Sequence, residues 1–156
     1  MIAIAAVIST VLTSTALTRQ EKDAGVLEAV TQQILLSENI EKTGFEIATA
    51  GSPQERVGAV ERLDLALTRM RDIHDGLRYG SPVLDLPADH SDAFDALIEA
   101  EIEPLLAAIS QAAIELVEDD SSGVLPPEET AGALTEAAED FREGMHGLAT
   151  LIKEEA

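Results

Sequence analysis

Three histidines set in a dense field of carboxylates are where chemistry would start in this sequence. Glu143 and His146 form a Glu-x-x-His pair. Di-iron bundles use two such pairs on different helices, together with a glutamate from each of two others. His74 stands between Asp72 and Asp75, and His90 between Asp89 and Ser91-Asp92, so each has carboxylates at hand for a divalent cation. Neither His74 nor His90 has a glutamate three residues before it, so the second pair is missing. The chain has 156 residues, of which 30 are acidic and 10 basic, giving a formal charge of −20. At that density carboxylates flank almost any histidine, and they read as a solvated face. No metal site is expected.

Cysteine is absent, which excludes a thiolate nucleophile, a thiolate metal site and a disulfide frame. No Gly-x-Ser-x-Gly elbow and no phosphate-cradling glycine loop occurs. No catalytic residue and no cofactor is expected, and the chain reads as a non-enzyme. A surface of −20 repels phosphate backbones, so nucleic acid is excluded as a partner.

The other candidate residues are Gln32, Gln33 and Ser37, with Glu28 one turn earlier. Amides and hydroxyls in an apolar seam can hydrogen-bond a small polar ligand. They can equally fix register and partner number where helices meet. Both readings stay open.

The elements that must position these residues are helices. Hydrophobic residues make up 46% of the chain but aromatics only 3%, a balance that favours a helix bundle over a sheet. Val26, Val30, Gln33, Ser37, Ile40, Gly44 and Ile47 follow a heptad seam, which Leu27, Ile34, Phe45 and Ala48 widen. Gly51-Ser52-Pro53-Gln54-Glu55 stops that helix and starts the next, with Ser52 as cap and Glu55 completing a capping box. Val60, Leu63, Leu67, Met70, His74 and Leu77 repeat the seam. The loop Gly80–Ala88 carries two prolines, and its three large apolar residues are expected to fold back. A third helix is capped by Asp89 or Ser91 and carries Phe94, Leu97, Ile98, Ile102, Leu105, Ile109, Ala112 and Leu116 inward. Pro104 should kink it just upstream. After a turn over Glu118–Pro127, a fourth helix presents Leu134, Ala138, Phe141, Met145, Leu148 and Ile152.

The pattern predicts helices over about 3–50, 53–79, 90–118 and 127–155, without strands. Short connections make this all-α chain an antiparallel up-down-up-down four-helix bundle. Met1 to Leu17 has no charged side chain. It is expected to be the outer part of a transmembrane helix whose beginning is missing, residues 1–18 forming that partial span and 19–156 the bundle. Both chain ends then lie at one pole of the bundle, facing the membrane.

Asp23 to Lys42, DAGVLEAVTQQILLSENIEK, resembles the signature of the type IV pilus methyl-accepting transducer (PilJ-type) N-terminal family, shared with nitrate/nitrite sensor kinases. Asp23, Ala24, Val26, Gln33, Leu36, Ser37, Ile40 and Lys42 match without a gap. Met70, His74, Leu77 and Gly80, then Glu103-Pro104-Leu105 and the Phe141 region, look similar to its later helices. The resemblance implies an extracytoplasmic (periplasmic) sensor domain of a membrane-bound chemotaxis transducer or two-component sensor kinase. It implies a homodimer anchored in the cell membrane by flanking helices. Its ligand pocket would lie around Gln32, Gln33, Ser37 and Glu28, where two first helices meet through Val26, Val30 and Ile34. The family's motif arginines fall on Gln32, Ile34 and Asn39 here, so a small neutral or cationic ligand is expected rather than nitrate. The rivals are a ligand-free membrane-anchored structural bundle and an acidic four-helix enzyme or metal carrier.

Overall fold

The computed structural model describes the backbone of residues 2–122 and 127–155, and the side chains of 22–118 and 129–155. Of the turn expected over Glu118–Pro127, residues 118–122 continue the third helix and Pro127 already begins the fourth, while 123–126 lie outside the described residues, as do the side chains of the 1–18 segment.

Helix α1 runs unbroken over Ile2–Ala48, α2 over Pro53–Tyr79, α3 over Asp92–Leu97, α4 over Glu103–Ser122 and α5 over Pro127–Glu155. A π-helical stretch, Ile98–Ile102, joins α3 to α4 with helical dihedrals on both sides, so the three form one long third helix. The architecture is therefore a bundle of four helices. Among the described residues there is no strand, only an isolated bridge between Ser81 and Leu86.

The expected cap starts α2. The Glu55 backbone N–H donates to Ser52 Oγ at 3.2 Å, and Pro53 occupies the first turn, where its missing N–H costs nothing. The Glu55 carboxylate accepts from the Gly51 N–H at 3.0 Å, one residue before the cap itself. Arg56 closes the same pole: its guanidinium donates to the Ile47 carbonyl at 3.1 Å and to the Leu116 carbonyl at 3.4 Å. The first of these carbonyls belongs to the last turn of α1, which lacks partners within its own helix.

The heptad seams form the core. Val26, Val30, Ile40 and Ile47 of α1 are buried, as are Leu63, Met70 and Leu77 of α2 and Leu134, Phe141, Met145 and Ile152 of α5. Each such side chain contributes about 1.5–3 kcal/mol through removal from water. α1 packs most extensively on α5 and α2, and α5 also on α4. Gly44 permits the close α1–α5 approach, since a Cβ there would come within 2.6 Å of Leu134 Cδ2.

Two packing expectations need correcting. Phe45 does not widen the inner stripe: it is 66% exposed, while Leu27, Ile34 and Ala48 are half-buried. In the loop after α2 only Leu86 folds in, at 6% exposure, against 93% for Val83. Mutual backbone hydrogen bonds between Ser81 and Leu86 close that loop into a short turn and point Val83 outward.

The membrane placement is also overturned. Among the described residues no helix is long and apolar enough to cross a membrane. The cell-membrane location of the bundle, on the outer side, goes with it. The 1–18 segment expected to be a partial span has its side chains outside the described residues.

Candidate functional site

The α1 seam brings Gln33 and Ser37 into the interior of the single chain, both at 0% exposure. Gln33 Nε2 donates to the Met70 carbonyl on α2 at 2.8 Å. A flipped amide would set two acceptors against each other, so this orientation is fixed. Gln33 Oε1 is then buried without a protein donor. Ser37 needs no such partner, because its hydroxyl donates to the Ile34 carbonyl of its own helix at 2.7 Å.

One turn beyond Met70 on α2, His74 is 5% exposed. Its Nε2 lies 4.0 Å from Glu103 Oε1 at the start of α4, and its Nδ1 is buried without a protein partner. Glu103 is paired with Arg78, one turn further along α2. Burial pushes the His74 pKa below its usual value, Arg78 lowers it further and Asp75 opposes both. The imidazole is neutral near pH 7. An aliphatic core thus contains an unused amide oxygen and an unused ring nitrogen on neighbouring helices. Each unpaired group costs about 1–3 kcal/mol.

The sequence singles out Gln33, Ser37 and His74 separately; the fold brings Gln33 onto the carbonyl of Met70, one turn before His74 on α2. It does not bring Gln32 or Glu28 to them. Those two face outward, with Gln32 Nε2 3.4 Å from Glu28 Oε1. Arg78 and Glu103 were not foreseen as part of the site, since charged residues near helix ends leave no periodic trace. Val26 and Val30 are 4% and 1% exposed within the single chain, so their side chains are committed to its own core, and Ile34 is half-buried. A dimer built on α1 has only the outward side of that helix to use, with Leu35 and Phe45.

The remaining histidines are elsewhere. His90 stacks on Phe94 with ring centroids 4.1 Å apart. Ser91 caps α3 and also donates to the Glu155 carboxylate at 2.8 Å, tying α5 to the start of the third helix. Glu143 and His146 lie exposed on the outside of α5. Among the described residues no three metal-ligating side chains converge.

Between α1 and α5, Arg142 and Glu41 form an ion pair at 2.7 Å, partly shielded from water. It lies on the same α1–α5 contact as Gly44 and Leu134. No protein-family model, curated protein or solved structure matches the chain.

Proposed function

We propose that the chain is a sensor module of a signal-transduction protein. It takes a small neutral or cationic ligand at the Gln33–His74 level and passes the event on as a shift of α5 against α1. The observation that carries this reading is the fully buried Gln33, anchored on one side by Met70 and left with an open acceptor on the other. A ligand N–H or O–H satisfies that acceptor, and His74 Nδ1 offers a second bonding point. A small anion is disfavoured, because the nearby cation, Arg78, is engaged by Glu103.

An up-down-up-down arrangement supports transmission along the bundle. Gln33 meets Met70 while Glu46 meets Arg62, so partners on α2 fall in number as α1 rises. Glu41 meets Arg142 while Gly44 faces Leu134, the same trend for α5. The resemblance of Asp23–Lys42 to PilJ-type sensor domains supports the same reading, with a kinase or methyl-accepting region as output. Coupling requires that the ligand favour one helix arrangement over another.

A second reading, a ligand-free structural bundle, draws support from the complete burial of Gln33 and the local satisfaction of Ser37. A thermal-shift screen of small neutral, cationic and anionic compounds separates the two. A stabilising neutral or cationic compound whose effect disappears in Gln33→Leu supports the sensor. A broad screen with no hit favours the ligand-free bundle.

A further inference from the structure

We propose that the groove between α1 and α5 beside Phe45 docks a basic, arginine-presenting helical segment of a partner protein. The chain has three phenylalanines. Phe94 and Phe141 are 3% and 0% exposed, whereas Phe45 stands 66% exposed on a well-packed helix. It borders a groove of about 490 Å³ lined also by Glu38, Glu41, Lys42, Glu46 and Thr135. Grooves between two helices suit a third, amphipathic helix.

Charge decides the partner's chemistry. Glu41 and Glu46 are held by Arg142 and Arg62, each at 2.7 Å, while Glu38 is exposed and has no ion-pair partner among the described residues. An arginine guanidinium can lie flat on the Phe45 ring and direct its fork to the Glu38 carboxylate, which a lysine ammonium does less well. The −20 charge draws a basic partner from a distance and repels a second copy of this chain. Lys42 shares the groove and opposes a cation there, so it limits the affinity.

The test is fluorescence anisotropy with a labelled synthetic amphipathic helix carrying leucine and arginine on one face, at physiological ionic strength. A matched peptide has lysine for arginine. Phe45→Ala and Glu38→Gln should each weaken binding about fivefold, Lys42→Ala should tighten it, and Glu154→Gln, outside the groove, should leave it unchanged. The lysine peptide should bind more weakly. Since Phe45 and Glu38 are exposed, circular dichroism should show both variants folded. Wild-type affinity in both variants, or no binding of the arginine peptide, overturns the proposal. So does light scattering that finds a dimer converted to monomer by Phe45→Ala, which assigns the face to a second copy.

Discussion

Gln33 of α1 donates to the Met70 carbonyl of α2 across 2.8 Å, yet the oxygen of the same amide, equally buried, has no protein donor. One side chain thus both ties two helices together and leaves an unsatisfied polar atom in their core. Its replacement by an apolar residue of similar length removes the open acceptor along with the bond. The acceptor costs about 1–3 kcal/mol and the bond contributes about 0.5–1.5 kcal/mol. Gln33→Leu is therefore expected to raise stability by about 1 kcal/mol, read from the urea midpoint at constant slope. A loss of similar size would show that the amide oxygen is satisfied in solution.

His74 should make stability fall on mild acidification. Its pKa in the folded chain lies below the ordinary 6.5, chiefly through burial, with Asp75 opposing the shift and Arg78 adding to it. Above pH 6.5 both folded and unfolded chains hold it neutral, and its contribution is fully present. As pH drops below 6.5 the unfolded chain takes a proton that the folded chain refuses, and stability declines toward the folded pKa. Denaturation at pH 7.5 and 5.5 should show a larger drop for the wild type than for His74→Leu. Equal drops would remove His74 from the account.

Glycine replacements should divide by position. At Gly44 an added Cβ would meet Leu134, which is itself 0% exposed and has nowhere to retreat. Gly44→Ala should cost about 1–3 kcal/mol despite the better helix former. At Gly132 and Gly147, both exposed on α5, an added Cβ would meet nothing within 4 Å. Alanine at either should stabilise by about 0.5–1 kcal/mol. Thermal melts of the three variants check both directions.

The Glu41–Arg142 pair should show a coupling of about 1 kcal/mol in a double-mutant cycle of Glu41→Gln and Arg142→Met. The side chains are 31% and 19% exposed, so strong salt should reduce the coupling without abolishing it. A coupling of zero at low salt would mean that the pair only decorates the α1–α5 contact.

Much of the fold was legible because periodicity reports burial. The seam from Val26 to Ile47 and that from Leu134 to Ile152 became core, and Ser52 with Glu55 marked the start of α2. Periodicity does not say which helix covers a seam. Val26 and Val30 read equally well against a second copy or against the chain's own neighbours, and the fold uses them for the latter. Phe45 misleads for a related reason: an aromatic near the edge of a stripe looks inward from its type alone. The polar centre was half visible. Gln33 and His74 stand out as polar residues within apolar repeats, but which residue of α2 Gln33 meets depends on how α1 and α2 are staggered, which no local pattern encodes.

The π-helical stretch Ile98–Ile102 resolves an arithmetic problem in the third helix. Phe94, Ile98, Ile102 and Leu106, all buried, recur every four residues, a spacing that drifts around a regular helix. A wider turn absorbs the drift, as the bond from the Glu103 N–H to the Ile98 carbonyl shows. In mechanical terms the third helix is a shaft with a built-in phase offset. Deleting one residue inside the offset would turn Phe94 by about 100° about the helix axis and draw it about 1.5 Å along it. Ser91, at the head of that shaft, would swing with it and release the carboxylate of Glu155. The end of α5 is thereby geared to the winding of a turn on another helix.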